Sequence, residues 1–218
     1  MNSLLTVANH AHATLPLDVL AGLTVLSVAP FLLVMSTSFV RIVVVLSLVR
    51  SAIGAAALPP NTVLTGLALV LTLVIMSPTI TQISHDAIDP YSQGHITQGQ
   101  LIDRAAAPLR AFMLRQTRMK DIALFSHVAH QDVRSVDDAP TFVLIPAFVV
   151  GELRSAFAIG FALYLPFVAI DLAVASILMG LGMFMLSPPV ISLPAKLLLF
   201  VMVDGWALVC GGVVSSFR

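Results

Sequence analysis

Charged residues are scarce in this chain. Asp, Glu, Lys and Arg make up 10% of its 218 residues, whereas hydrophobic residues make up 58%, and the mean hydropathy is +1.00. A soluble domain carries about 25% charged residues, and a particle of this size could not cover so much apolar surface with polar side chains. The composition therefore excludes an ordinary soluble domain. It predicts a membrane protein, or a subunit buried by partners in a membrane assembly.

Neither positive nor negative charge is in excess. Eleven basic residues balance eleven acidic ones, and no basic run occurs, so the chain lacks the positive surface that nucleic-acid binding requires. Cys210 is the only cysteine, which excludes an intrachain disulfide and a CxxC site. The N-terminal stretch MNSLLTVANHAHATLP has neither a basic region nor a small-residue cleavage site before the first long apolar run. We therefore expect no cleavable signal peptide.

Motifs that carry catalysis are absent from the sequence. It contains no GxSxG, no HExxH and no glycine-rich loop of the kind that holds phosphate. His127 and His130 are three residues apart, a spacing that suits a metal on a helix, but no third ligand accompanies them. We expect a protein that is not an enzyme and that has no cofactor and no metal site.

Long apolar runs dominate the rest of the chain. Five runs cover approximately Val19–Val49, Thr62–Met76, Phe142–Ala169, Leu172–Leu186 and Leu197–Val214. A helix that crosses a bilayer needs about 20 apolar residues, and several of these runs are short or interrupted by proline. Broken backbone is tolerated at membrane depth only where protein or a cavity surrounds it. The predicted fold class is therefore all-α, an integral membrane or membrane-assembly protein of broken apolar helices forming helical hairpins.

The chain divides by composition into three regions. Residues 1–78 and 142–218 are apolar and helical, whereas residues 79–141 form a polar middle region with more than half of the charged residues. Within the middle region, residues 108–128 place their apolar side chains near one side of a helical wheel. This spacing predicts one amphipathic helix that packs on the protein and faces water with its basic side.

Eight charged residues lie within or beside the apolar segments. They are Asp18, Arg41, Arg50, Glu152, Arg154, Asp171, Lys196 and Asp204. Such charges are costly in an apolar environment, and the two signs are equally represented. Ion pairs between helices or between subunits explain that balance better than a proton relay or substrate path does. The alternative function from the same residues is a secondary transporter for a small solute.

Three stretches resemble the FliP/SctR family of type III export-gate subunits. They read MSTSFVRIVVVLSLVRSAIGAAALPPNTVLTGLALVLTLVIMSP, IPAFVVGELRSAFAIGFALYLPFVAIDLAVASILMGLGMFM and SLPAKLLLFVMVDGW. The resemblance runs from about Pro30 to Phe217. The stretch FMLRQTRMKDIALF is more similar to the flagellar FliP branch than to the injectisome SctR branch, which is the alternative.

The resemblance implies a function and a set of partners. Flagellar members of the family are structural core subunits of the protein export gate in the bacterial inner membrane, within the flagellum basal body. Several copies form the channel together with FliQ-like and FliR-like subunits. FlhB-like and FlhA-like export proteins are further expected partners, and exported flagellar proteins are the expected substrates.

The resemblance also gives a role to the stretch GMFMLSPPVISLP. On the residues alone, Met183, Phe184 and Met185 are best explained as apolar filling at a helix end. The family carries a methionine-rich loop at this place, which closes around the channel as a gasket. Methionine is unbranched and adapts its shape, so a ring of such residues can seal a channel and still deform around a passing chain. Phe184 departs from the all-methionine pattern.

Overall fold

The computed structural model describes residues 23–24, 27, 30–55, 58–133 and 135–217. The expectation about a signal peptide and the charge of Asp18 fall outside these residues. The helices are α1 (Phe39–Ile53), α2 (Asn61–Ile83), α3 (Asp89–Ser92), α4 (Gln98–Gln116), α5 (Met119–Val128), α6 (Thr141–Gly180), α7 (Pro188–Met202) and α8 (Gly205–Ser215). A π-helical turn, Ser84–Ile88, joins α2 to α3. No strand occurs among the described residues, and the all-α prediction is confirmed.

Contacts divide the chain into two units, Met1–Val34 and Met35–Arg218. In the first unit, residues 30–34 are helical, and Phe31 and Leu33 expose most of their surface. The second unit contains α1 to α8.

Two helical segments of the described chain are long and apolar enough to cross a membrane. They are Asn61–Ser92, which comprises α2, the π-helical turn and α3, and Thr141–Gly180, which is α6. The pair α7 and α8 meets the same criterion when taken together, but it is bent by 64° at its break. Asp204 lies at that break with a φ of 49°, so the fifth apolar run forms two helices.

The helix of the second apolar run extends beyond Ser77-Pro78, where the sequence predicts its end. Pro78 lies inside α2, which continues to Ile83 and then into the π-helical turn. Proline removes one backbone donor, but in apolar helices local π-helical adjustment and Ser or Thr side chains satisfy the freed groups. Pro78 lacks an amide hydrogen, so only the carbonyl of Val74, one turn earlier, loses its helical donor. One proline is therefore not enough to end this helix.

The third and fourth apolar runs form a single helix, α6, of 40 residues. Asp171 separates the two runs in the hydropathy pattern, but its carboxylate accepts hydrogen bonds from Ser192 and Lys196 on α7. Because these partners satisfy the charge, the helix does not need to end at Asp171. Pro146 and Pro166 also lie inside α6 without ending it.

The amphipathic helix predicted for residues 108–128 is two helices, α4 and α5. Thr117 and Arg118 between them have extended backbone, and the Thr117 hydroxyl donates to the Met113 carbonyl at 2.7 Å. The break lets Ile122 of α5 pack in the same apolar core as Phe112 of α4. Residues before and after the break therefore both anchor the polar middle region to the apolar helices.

Two apolar cores hold the second unit together. The first core joins α1, α2, α6, α7 and α8 around Leu46, Val49, Ala156, Phe200 and Val213, among others. The second core joins α2, α4, α5 and α6 around residues that include Met76, Phe112, Ile122, Leu144 and Phe148. Both cores include residues of α6, so this long helix is the element shared by the two halves of the unit.

Close packing at the bend between α7 and α8 gives a stability prediction. A Cβ atom on Gly205 would lie 2.3 Å from the Phe200 ring, whereas on Gly211 it would meet nothing within 4 Å. We expect Gly205→Ala to destabilise the folded chain by about 1–3 kcal/mol, because the ring would have to move in a packed core. Gly211→Ala, in the same helix, is the matched control. Unfolding in detergent measures both, and equal stability of the two variants would contradict the prediction.

Candidate functional site

The most buried ionic group of the described chain joins Arg41 of α1 to Glu152 of α6. The Arg41 Nε donates to Glu152 Oε2 at 2.9 Å, and Nη2 donates to Oε1 at 2.5 Å. The side chains are 4% and 0% exposed. Both oxygens of the carboxylate therefore accept hydrogen bonds from one guanidinium, which is the strongest geometry for such a pair.

The remaining donors of Arg41 bind two other elements. Nη1 donates to the Ser216 carbonyl oxygen and to its hydroxyl oxygen, both at 2.9 Å, and Nη2 donates to Gln116 Oε1 at 3.2 Å. The guanidinium also lies over the Phe217 ring, with 3.7 Å between its carbon and the ring centroid. One side chain thus connects α1 and α6 to the end of α4 and to the residues after α8.

This cluster lies between the two apolar cores. Along α6, Glu152 is preceded one turn earlier by Phe148 of the second core and followed one turn later by Ala156 of the first. Phe217 packs against both cores, and its ring stacks on Phe112 with centroids 6.3 Å apart. The cluster therefore joins α1, α4, α6 and the residues after α8 at the boundary of the two cores.

A second pair holds α5 against α6. The two terminal nitrogens of Arg154 donate to the two carboxylate oxygens of Asp121, at 2.7 and 2.6 Å. Asp121 is almost fully buried, whereas the Arg154 side chain is 39% exposed. Glu152 and Arg154 are two residues apart on α6 and face different partners, so one helix turn is tied to both α1 and α5.

The Asp121–Arg154 pair predicts a pH dependence. Hydrogen bonds from Arg154 hold the pKa of the Asp121 carboxyl below its usual 3.8, although burial opposes this shift. The pair therefore stabilises the fold fully above 3.8, and its contribution is lost as the pH falls through the lower pKa of the folded state. We expect Asp121→Asn to lower the unfolding temperature at neutral pH, with the difference vanishing in strong acid. A difference that stays constant throughout an acid titration would contradict this.

A third ionic group connects α6 and α7. The Lys196 Nζ donates to Asp171 Oδ2 at 2.7 Å, and the Ser192 hydroxyl donates to Asp171 Oδ1 at 2.5 Å. Lys196 is 4% exposed and Asp171 is 29% exposed. As in the first group, each carboxylate oxygen has its own donor.

The other two charges of the apolar helices have different surroundings. The Arg50 Nη1 donates to the side chain of Asn61 at 2.5 Å, across the turn between α1 and α2. Asp204 is exposed, and within the described chain its carboxylate has no ion-pair partner. Of the charges that the sequence presents in apolar segments, the structure places Arg41, Glu152, Arg154, Asp171 and Lys196 in ion pairs within the described chain.

The loop between α6 and α7 covers residues 181–187 and contains Met183, Phe184 and Met185. Gly182 has a φ of 73° and ends α6, where the Met183 amide donates to the Leu178 carbonyl at 2.9 Å. α7 starts at Pro188, so the stretch of prolines that the sequence presents as a break is already helical. Proline suits the first turn of a helix because the amides there lack partners.

The three predicted gasket residues are not filling at a helix end within this chain. Met183 is 44% exposed, Phe184 79% and Met185 100%. In a membrane assembly, apolar surface that its own chain leaves uncovered is covered by lipid or by another subunit. The loop thus presents exposed apolar side chains.

The described residues contain no group of three His, Cys, Asp or Glu side chains that could hold a metal. The cavity of about 200 Å³ between α1, α6, α7 and α8 is lined only by apolar residues, among them Val49, Phe167, Phe200 and Leu208. Nothing in that cavity would bind a polar solute.

Five residues of these clusters were not identified from the sequence. They are Gln116, Asp121, Ser192, Ser216 and Phe217. Asp121 could have been found, since it is the only acidic residue of the predicted amphipathic helix, residues 108–128. The other four are common residue types whose partners lie far away along the chain.

Comparison with known proteins gives one consistent result. The model of the FliP family matches residues 22–213. The chain is 50% identical over 205 residues to the flagellar biosynthetic protein FliP of Pectobacterium carotovorum subsp. carotovorum, an alignment of 94% of this chain and 80% of that protein. It is 47% identical over 196 residues to the Bacillus subtilis protein of that name, 89% of each chain. For the Caulobacter vibrioides protein the identity is 50% over 202 residues, 91% of this chain and 76% of that protein.

Proposed function

This chain belongs to the FliP family of flagellar biosynthetic proteins, and we propose that it is a structural core subunit of the flagellar type III protein export gate. In this proposal, several copies form the export channel in the bacterial inner membrane, at the flagellum basal body. FliQ-like and FliR-like subunits complete the channel, and FlhB-like and FlhA-like proteins adjoin it. The chain acts without catalysis, and exported flagellar proteins pass through the channel.

The observation that carries the proposal is the exposed loop with Met183, Phe184 and Met185. A passage for protein chains needs a seal that holds against ions at rest and deforms when a chain enters. Methionine side chains have three rotatable bonds and a polarizable sulfur, so they fill irregular gaps. Apolar constrictions close to ions by excluding water. A ring of these loops, one from each copy, has the chemistry that such a seal requires.

The apolar faces of the helices support a multi-subunit arrangement. Large apolar side chains are exposed along α2, the second half of α6, and α7; they include Val70, Leu73, Phe157, Phe161, Leu165, Leu198 and Val201. One chain leaves these faces uncovered. Lipid and further subunits are the occupants that a gate subunit in a membrane assembly would provide.

The paired charges favour this function over small-solute transport. A transporter needs polar groups free to bind its solute near the middle of the membrane. In the described chain, Arg41, Glu152, Asp171 and Lys196 are instead bound to one another in pairs. The flagellar relatives likewise favour the flagellar branch over an injectisome subunit, because each of the three proteins compared above is a flagellar biosynthetic protein.

The test is the mass and composition of the intact particle. The full chain would be co-expressed with the proteins encoded beside it and measured by native mass spectrometry. We expect a particle that holds several copies of this chain and two other small apolar proteins. A monomer or dimer without such proteins, with saturable solute uptake in proteoliposomes, would overturn the proposal in favour of a transporter.

A further inference from the structure

The two helices that carry the exposed loop contact each other through one narrow stripe. The buried residues of α7 are Ser192, Lys196 and Phe200, which are four apart and therefore lie on one face of the helix. Phe200 packs against Phe167 of α6, with ring centroids 6.4 Å apart. One turn further toward the loop, Lys196 and Ser192 both bind Asp171. The stripe is thus apolar at its far end and polar at the end nearest the loop.

The polar end of the stripe also touches α1. Gly54 ends α1 in the left-handed conformation, and a Cβ atom there would lie 3.9 Å from the Lys196 Nζ. The C-terminus of a helix carries a partial negative charge, which favours a nearby ammonium group. Lys196 is therefore held between the Asp171 carboxylate and the end of α1, at a point where three helices meet.

Beyond this point the hairpin has almost no packing of its own. We define the hairpin tip as residues 172–191, which comprise the end of α6, the loop and the start of α7. Leu178 is the only residue in this fully described stretch that is buried. The tip includes Met183 and Met185, so the position of the loop depends on what holds the tip at its base.

We propose that Asp171, Ser192 and Lys196 are positioning residues that form a clamp at the base of the hairpin tip and set the position of the loop. The inference rests on the proposed function for its biological meaning, but the clamp itself is a property of the folded chain. Each carboxylate oxygen of Asp171 is bound by a different donor on α7. Two directional bonds fix both the rotation and the height of α7 against α6, whereas an apolar contact would allow sliding.

The proposed clamp has a closed arrangement and an open one. With both bonds made, the start of α7 is tied to α6 and the loop has one position. With them broken, Leu178 is the only buried residue that still holds the tip, and the tip can move away from the end of α1. Release of the clamp would thus widen the passage at the loop without unfolding the cores, because Phe167 and Phe200 still join the helices below it.

The experiment must separate a clamp from a pair that merely stabilises the fold. Asp171→Asn alone leaves the buried ammonium of Lys196 without a counterion, which could destabilise the whole chain. The double variant Asp171→Leu with Lys196→Met removes both charges and the carboxylate that accepts both hydrogen bonds, while the Ser192 hydroxyl keeps the Pro189 carbonyl as its acceptor. Apolar residues of similar size often preserve stability at such a site. Asp204→Asn removes a carboxylate that has no ion-pair partner and is the matched control.

Hydrogen exchange of the purified full chain in lipid nanodiscs is the measurement. In the double variant we expect backbone amides of the hairpin tip to exchange about tenfold faster than in the wild type. Amides of α1 between Arg41 and Ile53 should exchange at their original rate. Asp204→Asn should leave both regions unchanged, and Asp171→Glu, which retains a carboxylate, should stay near the wild type.

Unchanged exchange of the tip in the double variant would overturn the clamp, as would faster exchange that includes α1 to the same extent. Neither result depends on export. Assembly with partner proteins is measured separately, so failure of the clamp would leave the proposed function standing. Faster exchange of the tip in a chain that forms no multi-subunit particle would support the clamp and contradict the proposed function.

Discussion

Glu152→Gln should be among the most destabilising single substitutions in this chain. Its expected result is loss of most of the folded, oligomeric protein from detergent extracts, together with a lower unfolding temperature of what remains. Glu152 is 0% exposed, and both of its oxygens bind the guanidinium of Arg41. The amide would keep one acceptor but remove the only counterion of a buried cation.

The size of the destabilisation follows from the charge of Arg41, which remains buried in the variant. Removing one partner of a buried ion pair costs about 3–5 kcal/mol, because the other charge stays in an apolar environment without compensation. A folded protein is stable by about 5–15 kcal/mol in total, so this loss is a large fraction of the whole. Gln116 and Ser216 still accept hydrogen bonds from Arg41, but neither carries a charge.

Two further variants serve as controls for Glu152→Gln. Asp204→Asn neutralises an exposed carboxylate that has no ion-pair partner, and its yield should equal that of the wild type. Combining Glu152→Gln with Arg41→Met should recover part of the yield, since the unpaired charge is then gone. Normal oligomers of Glu152→Gln combined with abolished export would contradict the structural role and assign the pair to gating instead.

Much of the fold could be predicted from composition and periodicity, because both act locally. Apolar runs of sufficient length form helices in an apolar environment, and the wheel of residues 108–128 identifies the side that packs. The helix ends were less predictable. Asp171 lowers the local hydropathy but does not interrupt α6, because its partners are on α7. A hydropathy profile includes the charge of Asp171, but it does not include the hydrogen-bond donors on α7, which are distant in sequence.

The ion pairs of the candidate site could likewise not be predicted from local sequence. The charged residues themselves are conspicuous in apolar sequence, but their partners are 111 residues apart for Arg41 and Glu152 and 33 apart for Asp121 and Arg154. No local pattern connects such residues. Only the packing of α1 and α5 on α6 decides that Glu152 faces Arg41 while Arg154, two residues later, faces Asp121.

The role of the loop in sealing a channel is predicted from the family resemblance and not from the residue types of the loop. Methionine, phenylalanine and leucine near a helix end more often fill a core than line an opening. Met183, Phe184 and Met185 are exposed in the isolated chain, so they do not fill its core. The gasket role itself remains a proposal, and a double substitution in the loop tests it.

Replacing both Met183 and Met185 with Ala should make cells or proteoliposomes that contain the assembled gate leak ions. Each substitution removes three side-chain heavy atoms from a position that is uncovered in its own chain, and every copy in a ring repeats the loss. An apolar constriction blocks ions only while it is too narrow to hold water. We therefore expect the ion leak to rise by about tenfold or more once the constriction is wide enough to be wetted. Assembly should be unaffected, because these side chains are exposed and contribute to neither core.

Met202→Ala is the matched control for this experiment, and Phe184→Met is its complement. Met202 is 75% exposed at the end of α7 and outside the hairpin tip, so the same chemical change there should leave the leak at its resting level. Phe184→Met replaces a rigid ring by a flexible side chain of similar volume, and the seal should be retained. If the double alanine variant assembles normally and conducts no more than Met202→Ala, the loop does not seal the channel. The closure would then have to come from the apolar faces of the helices, where a tighter approach of neighbouring copies could narrow the passage.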